Sequence, residues 1–116
     1  MELMAREATA AGCAAVAVAI PAEGVALRRA GHPGRVLVMA PTLEEEATIL
    51  VEQHLEPTVT RPSVLEALAR AAEARGVCAA VQVKVDTGMS RVGVEPEEAL
   101  AFCARVRAYP ELRLAG

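Results

Sequence analysis

Several residue types that define functional classes are scarce in this chain of 116 residues. It has no Trp, one Tyr and one Phe, and its net charge of −3 comes without a basic run, which argues against a nucleic-acid partner. Its three cysteines, Cys13, Cys78 and Cys103, are too far apart for a disulfide framework or a C-x-x-C pair. We therefore expect no metal site, and buried or half-buried thiols in a reducing compartment.

Long hydrophobic runs are also absent. The most apolar stretch, Ala10 to Ile20, meets Pro21 well short of the roughly 20 residues that span a bilayer. The first ten residues, MELMAREATA, contain acidic residues and lack the basic-then-apolar order of a secretion signal. Because 53% of the residues are hydrophobic and 23% are charged, we predict a globular, cytoplasmic protein without a membrane segment.

Apolar runs of strand length alternate with helical segments along the chain. Strands are predicted over residues 14–20, 36–39, 55–59 and 77–85, and a fifth begins at 112–114. Helices are predicted from Met1 to Ala11, from Pro21 to before Gly31, from Thr42 to about His54, from Ser63 to before Gly76, and from Pro96 to Pro110. Two of these helices begin with a capping-box pattern, Thr42 with Glu45 and Ser63 with Glu66.

Strands that are apolar on both faces and alternate with helices indicate a parallel sheet covered by helices, which is the α/β class. A doubly wound sheet and a barrel both meet this description. The absence of G-x-G-x-x-G after the first strand and the regular spacing of the helices favour a barrel.

The only lysine, Lys84, and the only aspartate, Asp86, lie two residues apart in VKVDTGMSRVGV, residues 83–94. Strand alternation puts Gln82, Lys84 and Asp86 on one face. From the residues alone, Lys84 is either a Schiff-base lysine or half of a structural ion pair with Asp86 or a glutamate. Arg91 by itself is an ordinary exposed loop arginine. D-T-G also occurs in aspartic proteases, but those are rich in strand, whereas this chain is rich in helix.

The segment resembles the alanine racemases, whose pattern reads K-x-D-T-G-[ML]-x-R-x-G. The matching residues are Lys84, Asp86, Thr87, Gly88, Met89, Arg91 and Gly93. Residues 17–31 and 35–42 also resemble that family, and Ser90 departs from it where many members have glycine. The resemblance implies a (β/α)8 TIM barrel and the cofactor pyridoxal 5′-phosphate (PLP).

A complete barrel needs about 250 residues, so four strands, the start of a fifth and five helices make a partial (β/α)8 TIM barrel, about half of one. We expect residues 1–116 to be a fragment of the PLP-binding N-terminal barrel domain, lacking at least the first strand and the last three.

The resemblance also implies residue roles. The family's PLP-bearing lysine lies in a first-strand segment that has no counterpart here. Lys84 corresponds instead to a lysine that is often carbamylated to N6-carboxylysine and orients a neighbouring arginine. Arg91 is that arginine, which binds the phenolic oxygen of PLP and the carboxylate of alanine. Leu37 and Met39 correspond to residues beside the cofactor ring, although ordinary packing inside the barrel explains them equally well.

The implied parent is a homodimeric alanine racemase that interconverts L- and D-alanine and supplies D-alanine for peptidoglycan. We expect no catalytic residue within these 116 residues and no activity from them alone, because the PLP lysine and the proton-transferring tyrosine are missing. Two alternatives stay open: a PLP-binding barrel protein without turnover, and an inactive truncated product.

Overall fold

Five parallel strands alternate with five helices in a computed structural model that describes residues 1–116. The strands are β1 (Ala15–Val18), β2 (Arg35–Pro41), β3 (Glu56–Val59), β4 (Ala79–Val83) and β5 (Leu112–Leu114). The helices are α1 (Glu2–Ala10), α2 (Pro21–Arg29), α3 (Ala47–Glu52), α4 (Pro62–Arg75) and α5 (Ala99–Arg107). Single 3-10 turns, Glu44–Glu46 and Pro96–Glu98, lead into α3 and α5. The predicted α/β class and the number of elements are confirmed.

The sheet adds its strands in chain order, β1-β2-β3-β4-β5, and every neighbouring pair is parallel. Crossovers between parallel strands are right-handed, so a sheet that always grows in one direction carries its helices on one face. A doubly wound sheet would reverse its strand order and carry helices on both faces. The observed order is therefore that of a partial barrel.

Burial alternates along β2, whereas all four residues of β3 are buried. In β2, Val36 and Val38 are fully buried under the helices, whereas Arg35, Leu37 and Met39 lie on the opposite face. The helices contribute fully buried leucines to the same layer, and burial of each such side chain contributes about 1.5–3 kcal/mol. The face that carries Arg35, Leu37 and Met39 is the inner face of the partial barrel.

Neither predicted capping box forms. Strand β2 runs on to Pro41, and the Thr42 amide then donates to the Thr58 carbonyl (3.1 Å), so Thr42 is still part of the sheet. The first turn is capped instead by Glu46, whose carboxylate accepts from the Leu43 amide (2.9 Å). Ser63 lies inside α4 and donates its hydroxyl to Glu44. Both sequence patterns are present, but Thr42 pairs with β3 and Ser63 hydrogen-bonds to Glu44, so neither residue caps its helix.

The cysteines correct a second expectation. All three are free thiols, but Cys13 and Cys78 are exposed and Cys103 is half-buried. The prediction of buried or half-buried thiols was wrong for the first two, because they lie in the connections after α1 and α4. None of the helices combines the length and the apolar character needed to cross a membrane.

Candidate functional site

Lys84 follows the last residue of β4, at the carboxyl-terminal edge of the sheet. Its amide still reaches the Val59 carbonyl of β3 (3.4 Å), so its position is set by the sheet. A cavity of about 390 Å³ opens beside it, and Met39, Lys84 and Arg91 all line it. Leu37 lies on the same inner face, two residues nearer the start of β2, and does not line the cavity. Three of the four predicted site residues therefore come together.

The two basic side chains of this cavity have no acidic partner. The chain forms four salt bridges, all of them elsewhere: Arg6–Glu7, Arg35–Glu56, Arg61–Glu44 and Arg75–Glu52. The alternative interpretation of Lys84 as half of a structural ion pair with Asp86 or a glutamate is therefore wrong. Asp86 also lines the cavity, but its carboxylate accepts from the Gly88 and Ser90 amides. The two unpaired cations suit an anionic group, because a guanidinium binds carboxylate or phosphate oxygens with two parallel hydrogen bonds.

Arg91 is carried by a loop of residues 86–93, called the arginine loop below. Two backbone hydrogen bonds close its base: the Asp86 amide donates to the Val94 carbonyl (2.9 Å), and the Val94 amide donates to the Lys84 carbonyl (2.8 Å). Gly93 makes this closure possible. Its φ is 144°, and a Cβ there would lie 2.8 Å from the Val85 carbonyl carbon and overlap the Asp86 backbone.

Inside the loop, the Asp86 carboxylate is turned toward the backbone. Its Oδ1 accepts from the Gly88 amide (2.9 Å) and from the Ser90 amide (3.0 Å). These hydrogen bonds, first from Gly88 and then from Ser90, hold the pKa of Asp86 below its ordinary value. Ser90 itself has a φ of 52°, in the left-handed region that favours glycine, so the one departure from the family pattern falls on a strained position.

A second polar cluster on the inner face, the inner-face network, was not predicted. Arg35 donates from Nε and Nη2 to the two oxygens of Glu56 (2.7 and 2.8 Å), and Gln82 donates to Oε2 of Glu56 (2.7 Å). Glu56 is only 6% exposed. The hydrogen bonds from Arg35 lower its pKa more than its burial raises it. In the sequence, the only sign of this network was a single glutamate, Glu56, in the otherwise uncharged strand LEPTV.

None of the three residues of the inner-face network lines the cavity, although Gln82 lies only two residues before Lys84. Arg35 and Glu56 are the first residues of β2 and β3, whereas the cavity opens where the strands end. In parallel-stranded barrels the chemistry lies at the carboxyl ends of the strands and the other end serves stability. We therefore assign the network to the stability of the sheet and the cavity to the site.

Comparison with known proteins identifies the family to which this chain belongs. The model of the family described as alanine racemase, N-terminal domain, matches residues 1–116. The chain belongs to this family. An alanine racemase of Desulfovibrio desulfuricans is 41% identical over 113 residues, which are 97% of this chain and 30% of that protein. Among solved structures, the domain is similar to the alanine racemase of Clostridium difficile 630 in complex with cycloserine, with a TM-score of 0.90, 26% identity and coverage of 97% of this chain and 31% of that one.

The same part of the barrel occurs in an enzyme of another name. The D-threonine aldolase of Filomicrobium marinum matches this racemase-family domain with a TM-score of 0.88 and 25% identity, over 99% of this chain and 32% of that chain. The chain thus spans about 30% of the length of the relatives that it matches.

Proposed function

We propose that residues 1–116 form part of the PLP-binding N-terminal barrel domain of an alanine racemase, which interconverts L- and D-alanine. The observation that carries this proposal is the shared cavity of Met39, Lys84 and Arg91 at the carboxyl-terminal edge of the sheet. Membership of the family whose members are named alanine racemase supports it. The parent enzyme would be a cytoplasmic homodimer that supplies D-alanine for peptidoglycan.

The cavity fits a pyridoxal cofactor. PLP, when bound, supplies the conjugated ring that delocalises the negative charge left when the α-proton of an amino acid is removed. Met39 is 60% exposed on the inner face and offers an apolar surface to such a ring, with Leu37 behind it. Arg91, which has no protein partner, has its donors free for the phenolic oxygen and for the carboxylate of alanine.

Lys84 has a different task in this proposal. Two cations without an acid between them repel each other, and the carboxylate of Asp86 is used by the loop amides. Addition of carbon dioxide to the neutral amine of Lys84, with loss of one proton, would give an N6-carboxylysine. This anion accepts hydrogen bonds from the guanidinium of Arg91 and orients it.

The residues that carry PLP and move the α-proton would lie in the part of the relatives that this chain does not cover. Lys84 is the only lysine of the chain, and orienting Arg91 is incompatible with a covalent bond to the cofactor. We therefore assign binding and orienting roles to these 116 residues, and no proton transfer. The chain by itself is expected to be inactive.

The substitution Arg91→Lys in the full-length protein tests this assignment. Lysine keeps the charge but loses the two-pronged contact, so kcat/KM for alanine should fall by about 2–4 kcal/mol of transition-state stabilisation, roughly 30- to 1000-fold. Arg107→Lys, at an exposed position of α5, is the matched control and should change kcat/KM less than twofold. A wild-type kcat/KM for Arg91→Lys, with an unchanged absorption spectrum of bound PLP, would contradict the role of Arg91.

A second candidate reaction is the cleavage of a β-hydroxy amino acid, because the similarity to a D-threonine aldolase is nearly as close in fold. Assays with D-threonine beside alanine distinguish the two reactions. Bound PLP without turnover of either substrate would instead indicate a PLP-binding protein that is not an enzyme.

A further inference from the structure

The arginine loop has a single side-chain anchor. Apart from the two backbone bonds at its base, the hydrogen bonds within residues 86–93 come from Gly88 and Ser90 to one oxygen of Asp86. Thr87, Met89 and Ser90 are all exposed, so burial does not hold the loop in place. Its conformation therefore depends on one carboxylate.

The anchor is directly linked to the functional arginine. The Ser90 amide is the donor nearest in sequence to Arg91, and Ser90 has the left-handed φ of 52° that turns the chain just before the arginine. A serine in this region is unfavourable unless its surroundings hold it. The hydrogen bond from the Ser90 amide to Asp86 stabilises this conformation. Asp86 thereby fixes the backbone direction just before Arg91.

The charge of Asp86 is compatible with a free guanidinium. Its Oδ1 is taken by two backbone amides, and no salt bridge joins Asp86 to Lys84 or Arg91. An acid that paired with Arg91 would compete with an anionic ligand. Asp86 instead holds the loop from the inside and leaves the donors of Arg91 free.

We propose that Asp86 is a positioning residue for Arg91, because its carboxylate fixes the arginine loop in the conformation that presents the guanidinium to the cavity. This inference rests on the proposed function. Asp86 also lines the cavity, but the role proposed for it is exerted through Arg91 and needs no contact with substrate or cofactor.

A double-mutant cycle in the full-length protein tests the link between the two residues. Asp86→Ala should lower kcat/KM for alanine about tenfold, and Asp86→Asn less, because its amide oxygen still accepts from the two amides. In the double variant of Asp86→Ala with Arg91→Lys, kcat/KM should fall no more than about twofold below that of Arg91→Lys alone, since the anchor acts only through the arginine. Full multiplication of the two losses would overturn the inference.

Hydrogen exchange supplies a readout that does not depend on activity. In Asp86→Ala the amides of residues 87–91 should exchange at least about tenfold faster, while β2 and β3 exchange as in the wild type. The matched control is Glu95→Gln, which removes one negative charge beside the same loop. The Glu95 carboxylate accepts no hydrogen bond from the loop amides. Glu95→Gln should leave both loop exchange and kcat/KM within about twofold of wild type.

The outcomes separate the two proposals. A wild-type enzyme that racemises alanine, together with an Asp86→Ala variant of unchanged kcat/KM or unchanged loop exchange, overturns the positioning role and leaves the proposed function intact. A folded, PLP-loaded wild type that does not racemise alanine overturns both. A loss of about tenfold in both Asp86→Asn and Glu95→Gln, as large as that of Asp86→Ala, would show that net charge matters and the anchor does not, which also overturns the inference.

Discussion

Substitution of Glu56 by glutamine tests whether the inner-face network stabilises the sheet. Glu56 links three strands, because it accepts from Arg35 on β2 and from Gln82 on β4. Glutamine has nearly the same shape and keeps one acceptor oxygen, but it removes the charge. The variant therefore isolates the electrostatic part of the network from its packing.

The size of the effect follows from burial. Breaking a fully buried ion pair costs about 3–5 kcal/mol, whereas an exposed pair contributes about 0–1 kcal/mol. The side chain of Glu56 is 7% exposed and that of Arg35 is 48% exposed, so Arg35 regains water when its partner is lost. We expect Glu56→Gln to lower the free energy of unfolding by about 2 kcal/mol, between those limits.

The pH dependence gives this prediction its sign. The hydrogen bonds from Arg35 hold the pKa of Glu56 below its ordinary value near 4.5. A lowered folded-state pKa means that the stabilisation is fully present above about pH 4.5 and is lost as the pH falls through the folded-state value. The stability difference between wild type and Glu56→Gln should therefore shrink between about pH 7 and about pH 3.5, because protonated glutamate resembles glutamine.

Urea unfolding of the full-length protein measures the difference in unfolding free energy between wild type and Glu56→Gln. Hydrogen exchange of the peptide that contains β3, measured separately in the native protein, shows whether the loss lies in this part of the sheet. The matched control is Glu7→Gln, which removes an exposed pair with Arg6 (3.4 Å, side chains 65% and 74% exposed) and should cost less than about 0.5 kcal/mol. A loss below about 0.5 kcal/mol for Glu56→Gln, or a loss that is the same at both pH values, would mean that the charge of Glu56 does not stabilise the sheet.

Three further predictions concern the loop, the helix layer and Lys84. Gly93→Ala should open the arginine loop and lower the free energy of unfolding by about 2 kcal/mol or more, because the new Cβ meets both a positive φ and a backbone overlap. Gly88→Ala, at a φ of 129° but with open space around it, should lower it less in the same urea titration. Arg28→Lys should cost about 2 kcal/mol in thermal unfolding, because one ammonium cannot replace a guanidinium that donates to four backbone carbonyls; a melting temperature equal to wild type would contradict this. Lys84→Ala should lower kcat/KM less than Arg91→Lys, and added acetate should restore part of the loss; no effect of acetate would count against the proposed carbamylation.

Element order and fold class were predictable from the sequence because they depend on local patterns. Short apolar runs and helices bounded by glycine or proline recur along the chain, and the strand predicted to begin at residues 112–114 is present at Leu112–Leu114. The position of Lys84 near the end of its strand followed from the predicted range 77–85, although the observed strand ends at Val83. Its separation from Val83 and Val85 followed from alternation. These features needed no knowledge of which strands are neighbours.

The features that were missed depend on register between strands. Glu56 pairs with Leu37 across β2 and β3, which brings it within reach of Arg35 two residues earlier, and no local pattern contains that information. The capping box at Thr42 failed for the same reason, since its amide pairs with β3. The unpaired state of Lys84 and Arg91 likewise depends on where Asp86 directs its carboxylate, which only the folded loop reveals.

The proposed function assigns the cavity of Met39, Lys84 and Arg91 to a racemase. Chiral chromatography of alanine, after incubation of the full-length protein with PLP and either enantiomer, measures the activity itself. We expect L- and D-alanine each to approach an equal mixture, because enantiomers have equal free energies, and Arg91→Lys to slow both approaches alike. Bound PLP without interconversion of alanine, or cleavage of D-threonine in its place, would rule out this assignment.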